Sequence, residues 1–437
     1  MTISIASTRA RPVPAEHRAN FNHLIFDIAW FGVLNGSAIA FVAVYATRLG
    51  ADAFQLGLLN AGPAIVNLMF ALPAGRWLQD QPISRAAFYS SILHRWFYLL
   101  WIFLPFFFAP GTQVWVLVML TVLMSIPGTA LSIGFNGLFA ATVPSEWRAQ
   151  VAGARNAAYA LTSIVVTLIC GWLLDVMPFP TGYQMVFLIG FVGAVMSSLH
   201  LWFVRPADEH RKPGNGKSLG DWAQPGAMNM WQSLRTTVGL RFLLRQKPLN
   251  SRWLSPTKDV RYGRVLLLVF ALHLTLYLAA PLFPLYLVHE IGLSDKIIGL
   301  GNSIFYVALF LGSLQLAPVT RRFGHRKTMA LGVIVISLYP AILSQAQGAA
   351  LYLFASIMGG AGWALAGGAV GNYVLDETPD DSRPAYLAWY NISLQLGILL
   401  GSLIAPAMAG WWGLTIGLLF AAGCRFLTGL AIWRSRT

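Results

Sequence analysis

The sequence predicts an all-α membrane protein with 12 transmembrane helices in two pseudo-symmetric six-helix bundles. Three observations support this prediction. Only 11% of the 437 residues are charged and 57% are hydrophobic, whereas about a quarter of the residues of a soluble domain are charged. Apolar runs of 18 or more residues recur along the chain, and each can cross a hydrocarbon core of ~30 Å. One long polar segment, 205–263, separates two sets of six such runs.

The twelve apolar runs are numbered here as spans one to twelve. The first six are 21–47, 54–78, 86–108, 112–142, 151–176 and 183–204. The second six are 264–289, 295–319, 328–345, 349–375, 385–410 and 413–433. The predicted organisation is a short segment 1–20, a bundle 21–204, a linker 205–263, a bundle 264–433 and a tail 434–437.

The basic residues predict the orientation, because cytoplasmic loops of membrane proteins carry the excess of Lys and Arg. The stretch from Arg205 to Arg264 contains twelve basic residues against four acids. The loops on the opposite side hold only Arg48 and Lys296. We therefore expect both termini in the cytoplasm and the protein in the cell (plasma or inner) membrane. The net charge of +14 follows from this topology, so no nucleic-acid partner is expected.

The linker contains one further periodic pattern. Trp231, Leu234, Val238 and Phe242 recur at helical spacing among basic residues. A basic amphipathic helix of this kind binds the anionic cytoplasmic interface of the membrane lipids. The sequence leaves open a partly ordered tether as the alternative.

The two halves of the chain repeat each other. At an offset of 242, Gly50 aligns with Gly292 and Gly57 with Gly299. At an offset of 235, Asn156 aligns with Asn391. Internal repeats of this type are typical of secondary transporters.

The loop 320–327 carries the most specific motif. Its residues Arg322, Gly324, Arg326 and Lys327 match the Asp-Arg-x-Gly-Arg-Arg/Lys loop of the major facilitator superfamily, which the chain resembles over nearly its whole length. The resemblance implies two rocking six-helix bundles around a midplane site, and a loop that acts in gating. The loop departs from the family at Arg321, where the family has an acid.

Asp27 and Arg95 are the first candidates for a site, because ionisable groups deep in a membrane are costly and usually functional. Asp27 lies about two turns into span one, and Arg95 lies near ~15 Å depth in span three. A desolvated carboxylate can take up a proton, so Asp27 is a candidate for proton coupling. Arg95 lies at a depth comparable to that of Asp27, so the two side chains are also candidate partners. The alternatives are a structural carboxylate at Asp27 and a snorkelling side chain at Arg95.

Further candidates for substrate or proton contacts lie in the spans that the resemblance places around the cavity. These are Asn136, His273, Tyr277, Trp363, Asn372, Tyr390 and Asn391. A buried histidine is more often a packing residue, and polar groups in spans also form ordinary hydrogen bonds between helices. Arg155 is expected to serve the loop around Arg148, and Arg425 to snorkel towards the cytoplasm.

The predicted function is transport of a small-molecule solute, with protons as a candidate coupling ion. No enzymatic motif, metal site or cofactor site is recognised, and a monomer is expected. Alternatives are a passive facilitator or a lipid-handling protein of the same fold, and a non-transporting membrane sensor or scaffold. The sequence leaves the substrate and the direction of transport open.

The topology can be tested at Ser218 in the linker. A cysteine at this position should react with an impermeant maleimide in inverted vesicles and stay unlabelled in right-side-out vesicles. The reverse labelling pattern would overturn the predicted orientation.

Overall fold

A computed structural model describes residues 15–206, 259–379 and 383–435. In this part of the chain the regular elements are helices. Ten of the described helices are long and apolar enough to cross a membrane, and the last of them bends at Gly413 to form spans eleven and twelve. Span three is a further helix of 25 residues, which is about 37 Å long. The predicted all-α membrane fold is therefore confirmed.

The first half forms spans one to six. Span one comprises a helix, a π-helical turn and a second helix, with bounds Ala15–Leu34, Asn35–Ile39 and Ala40–Arg48. Spans two to six are Ala53–Gln79, Ile83–Phe107, Pro110–Thr142, Ser145–Val176 and Thr181–Phe203.

The second half begins at Val260. Span seven comprises Val260–Ala279, Leu282–Leu285 and a π-helical turn Tyr286–Glu290. Span eight is Asp295–Leu314. The helix Leu316–Leu343 follows it directly and contains span nine after a bend at Gly324. Spans ten to twelve are contained in Ala349–Asp376 and Arg383–Arg434.

Capping side chains stabilise the amino-terminal ends of two helices. Span two begins with a capping box, in which the Gln55 amide N–H donates to Asp52 Oδ1 (2.8 Å) and the Asp52 amide N–H donates to Gln55 Oε1 (3.0 Å). Span seven begins at Asp259, whose carboxylate accepts from the amides of Arg261 and Tyr262. These contacts satisfy amide groups that have no partner within the helix.

Each half packs as a bundle, and the bundles meet along two seams. In the first bundle span one packs against spans five and six, and span four packs against spans two and three. In the second, span seven packs against span eleven, and span ten packs against spans eight and nine. Between bundles, span two packs against span eleven and span five against span eight.

The repeat seen in the sequence is also a repeat of backbone geometry. Gly50 and Gly292 both have positive φ, at 89° and 68°. Gly57 and Gly299 both lie in seams: an added Cβ would be 2.4 Å from the Ser402 carbonyl oxygen and 3.0 Å from that of Thr167. Both seams therefore need a residue without a side chain at the same place in the repeat.

The segment 320–327 is more helical than the predicted loop. Helix continues on both sides of Gly324, which alone breaks it with φ 76° and ψ 166°. A residue with a side chain cannot readily adopt this backbone conformation. Glycine can, and it therefore reverses the chain direction sharply without a longer loop. Gly413 forms the same type of corner between spans eleven and twelve.

The predicted amphipathic helix near 228–245 lies outside the described residues, as does most of the linker. At the start of the linker, the Arg205 amide N–H donates to Asn20 Oδ1 (3.0 Å), and Asn20 Nδ2 donates to the Arg205 carbonyl (2.8 Å). The beginning of the linker is therefore attached to the first turns of span one.

Replacement of Gly324 by alanine should destabilise the protein. The backbone conformation at this corner costs a residue with a side chain about 1–3 kcal/mol. Gly324→Ala should therefore lower the thermal unfolding temperature of the detergent-purified protein. Gly410→Ala is the matched control, because an added Cβ at Gly410 meets nothing within 4 Å. Equal unfolding temperatures for the two variants would contradict this account of the corner.

Candidate functional site

A buried carboxylate lies at the centre of the first bundle. Asp27 in span one is 3% exposed. Its Oδ1 accepts a hydrogen bond from Ser197 Oγ in span six at 2.5 Å. Its Oδ2 lies 3.4 Å from both terminal nitrogens of Arg155 in span five. Arg95 Nη2 in span three lies 3.8 Å from Oδ1. Asp27 therefore connects four of the six spans of the first bundle.

Arg95 is held in place by span six as well as by Asp27. It is 5% exposed, and its Nη1 donates to Ser198 Oγ (2.8 Å) and to the Ala194 carbonyl (3.3 Å). Ser198 in turn shares a 2.6 Å hydrogen bond with Ser91. The structure thus brings Asp27 and Arg95 together, as the sequence suggested, and Arg95 does not snorkel.

Arg155 departs from its expected role at the loop around Arg148. It is 5% exposed, donates to the Leu24 carbonyl and to Asp27, and its guanidinium carbon lies 4.6 Å from the centre of the Phe135 ring. The sequence missed this contact because span five was predicted to begin at 151. The helix begins at Ser145, so Arg155 lies about 15 Å along it.

A polar cavity of about 100 Å³ adjoins this cluster inside the first bundle. Asp27, Arg95 and the predicted residue Asn136 line it, together with Asn67, His94 and Thr129. Both amide atoms of Asn136 are buried and make no hydrogen bond with the described residues. Thr129 Oγ1 donates to Asn67 Oδ1 at 3.2 Å. The cavity therefore offers both donors and acceptors beside a charged cluster.

The predicted residues of the second bundle do not line this cavity. They are His273, Tyr277, Trp363, Asn372, Tyr390 and Asn391. His273 is fully buried, and its Nδ1 forms a 2.8 Å hydrogen bond with the Val269 carbonyl oxygen. Trp363 and Asn391 are 5% and 4% exposed. In this structure His273, Trp363 and Asn391 belong to the packed interior of the second bundle. Tyr277, Asn372 and Tyr390 are half-buried.

Arg425 also differs from expectation. It is 2% exposed and does not reach the aqueous edge. Its Nη2 donates to the Thr275 carbonyl (2.9 Å) and its Nη1 to the Ile336 carbonyl (3.3 Å). Thr275 lies in the last turns of the helix Val260–Ala279, where the helix dipole attracts a cation. The side chain is therefore neutralised in part by backbone carbonyls.

Two residues of the segment 320–327, Arg326 and Lys327, contact the end of span twelve. Arg326 Nη1 donates to the carbonyls of Ile432 (3.2 Å) and Trp433 (3.3 Å). Lys327 Nζ lies 5.6 Å from the centre of the Trp433 ring, and the Arg322 guanidinium lies over Phe323. Arg326 thus binds the carboxyl-terminal end of a helix, where a cation is favoured.

The bundles are joined at the end opposite both termini, called the distal end here. Arg48 Nη2 at the end of span one lies 3.0 Å from Asp295 Oδ1 at the start of span eight. The same Nη2 donates to the Leu293 carbonyl (2.7 Å), and the Tyr183 hydroxyl donates to Asp295 Oδ2 (2.9 Å). These three contacts form a latch between the first and second bundles.

A family model for the Major Facilitator Superfamily matches residues 24–262 and 265–437. The cis,cis-muconate transport protein of Acinetobacter baylyi is 24% identical over 299 residues, which are 67% of this chain and 64% of that protein. The sugar transport protein MST8 of Oryza sativa subsp. japonica is 33% identical over 132 residues, 29% of this chain and 26% of that protein. The alignments thus span just under two thirds and about a quarter of these relatives.

Solved structures share the fold. The nucleoside transporter NupG has a TM-score of 0.67 at 13% identity, with 95% of this chain and 99% of NupG covered. The xylose transporter XylE from E. coli, in a partially occluded inward open conformation, has a TM-score of 0.66 at 14% identity, with coverage of 97% and 98%. At these identities the likeness concerns the fold alone.

Removal of the distal ion pair should loosen the seam between spans five and eight. Asp295→Asn removes a partly exposed ion pair, which is worth ~0.2–1 kcal/mol. A cysteine at the buried seam residue Ser303, introduced after replacement of Cys170 and Cys424, should then react with maleimide roughly two- to fivefold faster. Lys296→Gln is the control, since Lys296 is exposed one residue away. An unchanged rate in Asp295→Asn would show that the latch does not hold the distal end closed.

Proposed function

Since the chain belongs to the Major Facilitator Superfamily, we propose that it is a secondary-active transporter that moves a small-molecule solute by alternating access. One observation carries this proposal: the Asp27–Arg95–Arg155 cluster is buried inside a membrane bundle and borders a polar cavity. Buried charges beside a cavity in a membrane domain usually mark a solute or proton pathway.

The packing between bundles suggests how access would alternate. Glycine contacts at both seams let the bundles approach closely, and the Arg48–Asp295–Tyr183 latch closes the distal end. Asn35 Nδ2 also donates to Tyr306 Oη across the bundles at 2.7 Å. Rocking of the bundles would break these contacts and open the distal end. With the termini in the cytoplasm, the distal end would be the outer gate.

Asp27 is the proposed coupling residue for protons. In the present arrangement two guanidinium groups and a serine hydroxyl contact its carboxylate. In this proposal proton uptake accompanies a movement of Arg95 or Arg155 away from Asp27. A change in the angle between spans one, three and five could bring this about, and it would link protonation to the conformational cycle.

The names of the relatives suggest a small polar organic solute. One relative is named a cis,cis-muconate transport protein, and others are named sugar transport proteins. Polar side chains at the cavity wall suit either kind of compound. In this proposal the solute binds against Asn136, His94 and Arg95, and the membrane is the plasma or inner membrane.

Replacement of Asp27 by asparagine tests the coupling. Asp27→Asn mimics the protonated side chain at nearly constant volume. In proteoliposomes it should abolish accumulation of labelled solute in response to ΔpH and retain solute exchange, because exchange needs no net proton movement. The solute is first identified by a ligand-stabilisation screen that includes sugars and cis,cis-muconate.

Asp175→Asn is the matched control, because Asp175 is exposed near the end of span five. It should retain accumulation. Accumulation driven by ΔpH in Asp27→Asn would make Asp27 structural. Wild-type transport that does not depend on ΔpH would favour a passive facilitator. A complete lack of transport and of binding would favour a sensor or scaffold.

A further inference from the structure

The charge of the cluster around Asp27 does not balance. Arg95 and Arg155 contribute two positive charges and Asp27 one negative charge, and all three side chains are at most 6% exposed. A buried charge without compensation is strongly unfavourable. The cluster therefore carries a surplus positive charge that a further anion would compensate when the site is isolated from water.

The described part of the protein offers no second carboxylate to supply that charge. Asp27 is the only acid that lies in the interior of a described span. The other described acids lie in the first or last turn of a helix or at its cap, as Glu146, Asp175 and Asp376 illustrate. The positions that repeat Asp27 and Arg155 in the second bundle are Val269 and Tyr390. The missing anion is therefore expected from outside the chain.

Arg95 has one edge whose hydrogen-bonding capacity is unused among the described residues. Its Nη1 is engaged by Ser198 and Ala194. Its Nε is buried and has no hydrogen-bond partner among the described residues, and its Nη2 lies 3.8 Å from Asp27, beyond hydrogen-bond length. The Nε–Nη2 edge of a guanidinium group binds a carboxylate with two parallel hydrogen bonds. Arg155, in contrast, does not line the cavity and is engaged by the Leu24 carbonyl and Phe135.

The rest of the cavity wall suits an organic anion. Ile28, Phe31 and Pro63 provide apolar surface, and the amide of Asn136 offers a donor without a partner on the described residues. The volume of about 100 Å³ accommodates a small carboxylate head with a short hydrocarbon portion. A neutral sugar would leave the surplus positive charge uncompensated.

We propose that the cavity binds small organic carboxylates and that the Nε–Nη2 edge of Arg95 holds the carboxylate group. This inference rests on the proposed function, since it names the substrate class of the same site. Arg95 is thereby the specificity-determining residue that separates carboxylates from neutral solutes.

The test compares carboxylates with their neutral amides on purified protein at constant ionic strength. The probes are butyrate and benzoate, each paired with its amide, together with inorganic phosphate and glucose. Thermal stabilisation and equilibrium dialysis of labelled benzoate give the affinities. We expect saturable binding of the carboxylates and no binding of the amides. Arg95→Gln should weaken carboxylate binding at least ~10-fold, and Arg85→Gln, an exposed position in span three, should leave it unchanged.

The direction in which Asp27→Asn changes the affinity for carboxylates provides a further test. Asp27→Asn raises the net charge of the cluster, so carboxylate affinity should stay equal or increase, whereas a site for cations would respond in the opposite direction. If Arg95→Gln alone does not fold, the double variant Asp27→Asn/Arg95→Gln removes both partners together and should still lose binding. Folding of each variant is checked by size-exclusion chromatography.

Other outcomes overturn the proposal in distinguishable ways. Stabilisation by glucose or by the amides, without stabilisation by carboxylates, refutes the substrate class and leaves the transporter function in place. Stabilisation by phosphate alone shows an inorganic anion site and also refutes it. Carboxylate binding that survives in Arg95→Gln refutes the role of Arg95. Absence of binding and of uptake for every probe counts against the substrate class and the transporter function together.

Discussion

The ion pairs of Asp27 are the interaction on which the first bundle depends. Removal of one member of a buried charge pair typically costs about 3–5 kcal/mol, because the remaining charge loses its compensation. Asp27 receives Arg95, Arg155 and Ser197 from three different spans. The rotation of each of these helices about its own axis is thereby constrained. The same contacts place a charged group at the wall of the cavity, so residues that pack the helices also line the cavity.

The second bundle repeats the backbone of the first without its charges. The counterpart of Asp27 is Val269, and the counterpart of Arg155 is Tyr390. The one arginine buried deep in the second bundle among the described residues, Arg425, is held by backbone carbonyls of two other helices instead of by a carboxylate. The two bundles are therefore alike in shape and unlike in electrostatics. This difference assigns the charged steps of the proposed cycle to the first bundle.

The contacts between bundles are of a different kind from those within them. Gly57 and Gly299 bring backbones together at the two seams, and close backbone approach through small residues is the usual means of packing helices in membranes. The polar latch of Arg48, Asp295 and Tyr183 lies at the distal end and is partly exposed. A partly exposed ion pair is weak compared with a buried one. The proposed cycle needs the interface to separate while each bundle stays intact, and this difference in contact strength is consistent with it.

The fold class, the division into two sets of six spans and the repeat are all predictable from the amino-acid sequence. They follow from the length of apolar runs and the spacing of glycines, which the bilayer constrains directly. Asp27 and Arg95 are recognisable in the same way, because charges are rare in such runs and their depth can be counted. Which side chains meet, in contrast, depends on the packing of the helices. Arg155 and Ser197 reach Asp27 because of where span five begins and how span six is rotated. His273 and Trp363 are packed inside the second bundle for the same reason. Most of the surface of a membrane helix is apolar on every face, so the sequence carries little information on helix rotation, and contacts between helices settle it.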